Sequence, residues 1–356
     1  MKKLIIIILV TFIQSSLVAQ EFYGSGAFTE IGFSARSLAL GNTMFSDSDP
    51  AVAIYFNPAI VTNRNRKSIH LNHRANNDYF GTYSTFGIYH PIKLSPKGIG
   101  INIISYNVGD IEGYDDQANF MGNFDFKEYF GSFIFTSTIN NIAWGVKLSG
   151  IYNEINKYDK SEFVAGIEIG TTYDLELLKP LVPEGWDIVF LPKVGFTANR
   201  YFHPDYYEDN NNFVPTRFSL GANLINIGFM LDAIMPSMNN MREWMSTTKL
   251  FTEVYYDLSK KYEYPAESSL GIALGTELER KYKMSFNLGR SNVARDSYNG
   301  LSKNLLNELQ FDGSHIFFFN SLGFSLDINR FSISYAQTYH PYFNQTDYFS
   351  VSLVVK

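Results

Sequence analysis

The sequence predicts an all-β fold, a transmembrane antiparallel β-barrel of about 14 strands closed by an N-terminal plug. Three observations predict it. The first is a two-residue alternation that recurs to the end of the chain. Ile142, Trp144, Val146 and Leu148 are apolar, whereas Ala143, Gly145, Lys147 and Ser149 between them are small or polar. The same beat returns at Met284, Phe286 and Leu288, and at Phe349, Val351, Leu353 and Val355. A strand with one apolar and one polar face needs an apolar medium on one side only. The second observation is an export signal ahead of the strands. The third is an aromatic content of 16%, with 24 Tyr and 31 Phe, enough to furnish the ring-rich girdles of a barrel at both water interfaces.

Residues 1–20 carry that signal. Lys2 and Lys3 give a basic start, Leu4 to Ile13 an apolar stretch interrupted only by Thr11, and Ser15 to Ala19 a small-residue cleavage region. The apolar stretch is too short for a spanning helix, which needs about 20 residues. Without Lys2 and Lys3 the chain keeps 27 basic against 35 acidic residues, a net charge of −8. That balance opposes non-specific nucleic-acid binding, which needs a basic footprint. There is no cysteine, so stability comes from packing and strand pairing, and disulfides and thiolate metal sites are excluded.

Residues 21–63 read as a separate element. Asp49 is placed to cap a helix with Pro50 at its first position, and that helix should end at Phe56 because Asn57 precedes a proline. From residue 64 onward the chain reads as the barrel, with strands expected near 68–74, 82–90, 98–106, 128–138, 142–152, 163–174, 187–198, 216–226, 248–258, 269–279, 283–290, 315–328, 331–339 and 346–355. Tight joins at Asn140-Asn141, Arg280 to Tyr282 and Asn329-Arg330 alternate with long polar connections at 107–127, 199–215 and 291–314. Short turns are expected at one end of the barrel and long loops at the other. The inward beats are small (Gly145, Ser149, Gly221, Gly271, Gly275, Gly289, Gly323), which leaves a lumen for the N-terminal element to fill.

Two motif blocks carry a resemblance. Gly32-Phe33-Ser34-Ala35-Arg36-Ser37-Leu38-Ala39-Leu40-Gly41-Asn42 is followed by the acidic Asp47-Ser48-Asp49 and then by Tyr55-Phe56-Asn57-Pro58-Ala59. This order resembles the opening of the PorV/PorQ family, within the wider group of FadL-like 14-stranded outer-membrane barrels. The final strands, from Gly323-Phe324-Ser325-Leu326 through Phe331 to Leu353, are similar to the end of that family. The resemblance implies an outer-membrane location, contact with membrane lipid, and a plug motif of Arg36, Gly41, Asn57, Pro58 and Ala59. It also implies a role in type IX secretion, a system of Bacteroidota. The partner would be the translocon, the attachment complex, or secreted cargo held by its C-terminal signal domain. The alternative it implies is a FadL-like channel that takes up hydrophobic small molecules.

Candidate contact residues follow from composition. Met238, Met241 and Met245 share one helical face with Trp244 beside them, a soft surface suited to adaptable apolar contacts or to rest at a lipid boundary. Tyr201, Tyr206 and Tyr207 sit among acids and asparagines in a polar loop, a mixture common at recognition surfaces. Asp110, Glu112, Asp115 and Asp116 form an acidic stretch without EF-hand spacing. His70 and His73 fall on opposite faces of one strand and cannot share a metal. No Gly-x-Ser-x-Gly, zinc-protease pair or phosphate loop is present, so the sequence supports neither an enzyme nor a bound cofactor or metal. A docking protein predicts a filled lumen and an exposed apolar patch above the membrane, whereas a channel predicts a continuous, mostly apolar internal pocket with a lateral or axial exit.

Overall fold

Fourteen antiparallel strands close into a ring, because the alternating sequence leaves no other way to satisfy both the backbone and the apolar face. A computed structural model describes residues 27–45, 49–60, 66–74, 81–92, 97–115, 117–139, 142–155, 160–175, 186–202, 217–230, 248–261, 267–279, 282–296, 308–311, 314–340 and 344–355. The strands are β1 (Lys67–Arg74), β2 (Thr82–Ile92), β3 (Lys97–Tyr114), β4 (Phe120–Ile139), β5 (Ile142–Ile155), β6 (Lys160–Asp174), β7 (Trp186–Phe202) and β8 (Arg217–Met230). They continue as β9 (Thr248–Lys261), β10 (Glu267–Leu278), β11 (Tyr282–Asp296), β12 (Glu308–Phe311), β13 (Ser314–Ile328), β14 (Phe331–His340) and β15 (Asn344–Val355). Neighbours in sequence pair from β1 to β11, β1 pairs β15, and β11 pairs β13, which closes the ring. The four-residue β12 pairs only with Ser314–Phe317 of β13 and lies outside the count of 14.

Each of the fourteen expected strands is present. The differences are in length and at the ends. The expected loop at 107–127 is mostly strand: β3 runs to Tyr114 and β4 starts at Phe120, with register shifts at Val108/Ile111 and Gly113/Tyr114. Glycines and acids there read as a loop, yet the ladder continues between the two strands past the breaks. The ends are also less unequal than expected. Leu278 pairs with both Thr248 and Tyr282, Tyr282 with Ile328, and Ile328 with Phe331. The tight turns therefore share one end, but the long connections 175–185 and 231–247 leave from that same end.

The outward beat meets lipid. Leu71, Ile101, Phe133, Leu148, Ile169, Leu274, Phe286, Phe324 and Phe349 are all large apolar side chains left exposed on the outer wall. Only a bilayer solvates such a band at low cost, and a closed ring leaves no unpaired strand edge within it. The chain is an outer-membrane β-barrel.

Residues 27–45 and 49–60 pack against the inward faces of the strands. They form a 3₁₀ turn (Ala27–Glu30) and two short helices, α1 (Ala35–Ala39) and α2 (Pro50–Phe56). Ser34 and Ser37 cap α1 reciprocally, and Asp49 caps α2 through the Ala51 amide, with Pro50 in the first turn and Asn57 extended before Pro58. The segment bonds to wall residues on nearly every side. Ala35 N donates to Ser350 Oγ (3.3 Å), Tyr83 OH to Gly32 O (2.7 Å), Asn102 Nδ2 to Ala51 O (2.8 Å), and Ser321 Oγ to Ala39 O (3.3 Å).

Glycine makes this fit possible. A Cβ on Gly145 would stand 2.2 Å from Pro58 O, on Gly170 2.1 Å from Asn57 Oδ1, on Gly271 2.4 Å from Leu40 O, and on Gly289 2.0 Å from Gly41 N. Gly100, Gly195, Gly221 and Gly323 meet Ile54, Met44 with Phe45, Met44 and Ala39 in the same way. Gly275 is different: the side chain it accommodates is Phe251 of the wall itself. Gly289→Ala should therefore loosen the segment at a cost of about 1–3 kcal/mol, the usual range for overpacking. Gly131→Ala, where nothing lies within 4 Å, should leave stability unchanged. Thermal unfolding and limited proteolysis of the segment in detergent check both.

Candidate functional site

The lumen holds two chemically different surfaces, and the N-terminal segment touches both. The polar surface is a set of charged locks. Lys147 on β5 is 4% exposed and pairs with Glu168 on β6 at 2.6 Å, while its ammonium also donates to Tyr55 O at the end of α2 (2.7 Å). Adjacent beats of neighbouring strands place these two residues at one rung, since Lys147 is the register partner of Glu168. Across the lumen, Arg36 of α1 lies 3.5 Å from Glu253 on β9. The same carboxylate accepts Lys283 Nζ (3.0 Å) and Tyr255 OH (2.6 Å). Asp257 on β9 accepts the Met44 amide. Charges this deep persist only when paired, because desolvation of a lone one is very unfavourable.

His70 ties the segment to two strands of the wall. Its Nδ1 lies 2.8 Å from Ser352 Oγ and 3.9 Å from Asp49 Oδ2, and its Nε2 lies 3.2 Å from Phe33 O. Serine and carboxylate meet the same ring nitrogen, and the other faces a carbonyl. A relay needs them on opposite nitrogens. With Nε2–H donating to Phe33 O and Nδ1 beside Ser352 Oγ, the ring holds the segment to β1 and β15. His73, three residues on, faces outward as the two-residue beat requires, with Ser84 Oγ at 3.0 Å. Among the described residues no group of three or more His, Asp or Glu is arranged to hold a metal.

The motif residues converge on the wall. Asn57 Nδ2 donates to Thr171 O (3.2 Å) and Phe196 O (3.3 Å), and its Oδ1 accepts the Ala59 amide (2.8 Å). Thr172 Oγ1 donates to Ala59 O (3.3 Å), and Pro58 O rests on Gly145. Gly41, at φ +71°, approaches the Leu270 and Arg290 backbone. Arg36, Gly41, Asn57, Pro58 and Ala59 thus sit at three separate stations around one ring.

The apolar surface was not anticipated. Tyr83, Ile104, Phe130, Ile151 and Val164 turn inward from consecutive strands β2 to β6 and form one buried cluster with Phe28, Phe33, Leu38 and Val52 of the segment. Tyr106, Tyr201 and Tyr55 pack on its margin. Phe33 stacks on Tyr55 with ring centroids 4.6 Å apart. It lies toward the end away from the tight turns, since Tyr83 pairs with Tyr106 one rung from the start of β2. The signal was present in the sequence as apolar residues on the inward beat, such as Ile151 beside Lys147.

The candidate contact patches separate. Tyr201 ends β7 with its ring against the luminal cluster, whereas Tyr206 and Tyr207 lie outside the described residues. Met238, Met241, Trp244 and Met245 also lie outside them, and their connection leaves from the tight-turn end, opposite the β7–β8 connection. On the outer wall, Leu71, Phe86, Ile103, Phe349 and Val351 line an open groove of about 430 Å³ that faces hydrocarbon.

No protein-family model and no curated relative matches the chain. Among solved structures it is similar to the TodX deltaS2S3 mutant monoaromatic hydrocarbon channel, with a TM-score of 0.48 and 8% identity over 91% of this chain and 99% of that one. It is similar to the Pseudomonas putida toluene transporter TodX (TM-score 0.46, 8% identity, 91% and 96% covered) and to a Pseudomonas aeruginosa FadL homologue (TM-score 0.43, 10% identity, 96% and 99% covered).

The Lys147–Glu168 lock gives a direct test. Lys147→Met strands a buried carboxylate and should destabilise the protein by about 3–5 kcal/mol. Adding Glu168→Leu should recover most of that loss, as a double-mutant cycle by denaturant unfolding will read.

Proposed function

We propose that the chain is an outer-membrane channel for hydrophobic small molecules, closed at rest by residues 21–63 as a plug. The observation that supports it most is the inward apolar wall of Tyr83, Ile104, Tyr106, Phe130, Ile151 and Val164 around Phe28, Phe33 and Tyr55. A barrel interior that carries water is polar. At rest this aromatic surface is packed against the segment itself, and once the segment moves away it would offer an apolar solute a place to leave water, worth about 25 cal/mol per Å² removed. The charged locks oppose that solute, so passage requires the segment to release the wall. Asn57 is the hinge of choice, because two of its side-chain hydrogen bonds join the segment to β6 and β7 while a third, from the Ala59 amide, fixes the turn of the segment itself.

Docking in type IX secretion is the second reading, and the motif resemblance supports it. The motif residues, however, are engaged with the barrel wall, which accounts for their presence through closure alone.

Titration of the detergent-purified protein with oleate, followed by tyrosine and tryptophan fluorescence, discriminates the two. Saturable binding is expected, weakened about tenfold by Tyr106→Ala, since losing one aromatic contact costs on the order of 1.4 kcal/mol or more. Heat-modifiable gel mobility confirms that the variant is folded. Absence of saturable binding, together with co-purification of secretion subunits from native membranes, would reverse the preference.

A further inference from the structure

The β3–β4 hairpin outgrows the barrel. Thr82 is the last residue of β2 to pair with β3, at Asn107, and Ile155 the last of β5 to pair with β4, at Phe126. Beyond those rungs, residues 108–114 pair only with residues 120–126 among the described strands. Seven residues of strand span at most about 23 Å beyond the last rung shared with β2. The outward apolar band stops near Tyr129, so the ribbon stands in water.

Its surface suits a protein partner. Tyr114, Phe120 and Met121 at the tip are 57%, 59% and 55% exposed, although no lipid reaches them. Residues 108–125 contain five acids, Asp110, Glu112, Asp115, Asp116 and Asp125, and no lysine or arginine. The ribbon also holds its shape. Tyr114 and Phe120 rings meet at 5.8 Å, and the ladder is broken by a bulge at Val108/Ile111, with Asp110 at φ 55°. The Asp115 carboxylate accepts the Gln117 and Asn119 amides and Asn119 Nδ2 (2.8–2.9 Å), which closes the tip. The Asn119 side chain above all holds this carboxylate below its ordinary range, so the tip stays charged.

We propose that this ribbon is a docking edge for an extended, basic segment of a partner protein, which adds as a further strand beside β3 or β4 and lays apolar residues on Tyr114, Phe120 and Met121. Open strand edges recruit strands, and charge complementarity selects the partner and sets its approach rate. A membrane surface is disfavoured because outer leaflets and the ribbon carry the same sign. The inference is independent of the channel reading.

The test uses the full-length barrel in detergent and a synthetic ten-residue peptide alternating lysine and valine, with a glutamate–valine peptide as control. The lysine peptide is expected to bind saturably at low salt and to weaken steeply as salt rises. D110N/E112Q/D125N, which spares the Asp115 turn, should weaken binding at least about tenfold. Amides of 108–114 or 120–125 should gain hydrogen-exchange protection on binding. A barrel with residues 109–124 replaced by Asn-Gly should not bind. The proposal is overturned by equal binding of the glutamate peptide, by undiminished binding to the ribbonless barrel, or by no saturable binding. It is likewise overturned if the same amides are protected by calcium alone, or if sedimentation shows a ribbon-dependent dimer, which would assign the edge to a second copy.

Discussion

The close approach of one stretch of backbone to the barrel wall is the constraint on which the rest of the structure depends. Leu40 and Gly41 at β10 and β11, Asn57 and Pro58 at β5 and β6, and Met44 at β7 and β8 all come nearer to a strand than a Cβ would permit. That approach fixes glycine at each facing position. It also fixes polarity, because a segment packed this tightly buries carbonyl and amide groups that must find partners on inward beats. Ser350, Thr172, Asn102 and Lys147 supply them. The wall and the segment are therefore one core built from both sides.

Two solvents shape the strands. Outside, hydrocarbon rewards every second residue for being large and apolar. Inside, the segment rewards the alternate residue for being small where backbone comes close, charged where a lock forms, and aromatic where α2 and the 3₁₀ turn present rings. The polar locks contribute position more than net stability, since a buried ion pair roughly offsets its own desolvation. Their value is in holding one arrangement of the segment.

Much of this was legible in the sequence, for a physical reason. The two-residue beat survives because lipid surrounds the barrel without interruption, so all fourteen strands could be placed. Helix α2 was legible from Asp49-Pro50 and its end from Asn57-Pro58, where proline chemistry acts locally. Helix α1 was not, because its reciprocal cap uses Ser34 and Ser37 instead of the usual acidic partner. The β3–β4 ribbon was misread as loop because Gly109, Gly113 and five acids outweigh a strand pattern that only pairing reveals. The inward glycines were visible, yet their partners were not. Which backbone atom faces Gly289 or Gly145 depends on how residues 27–60 fold inside the ring, a property of no single strand. The pairing of Lys147 with Glu168, and of Arg36 with Glu253, was hidden for the same reason: register and ring closure create those contacts across 21 and 217 positions of sequence.

The central claim is that residues 27–60 occupy the lumen and rest on the wall. The chain has no cysteine, so two introduced thiols would be the only ones present. Ala35→Cys on α1 and Ser350→Cys on β15 place them at a contact where the Ala35 amide lies 3.3 Å from the Ser350 hydroxyl. Mild oxidation in native membranes should cross-link the pair in high yield, seen as a reduction-sensitive shift in gel mobility, and should protect both thiols from a bulky maleimide. Failure to cross-link, with both thiols freely labelled in the folded barrel, would contradict the account.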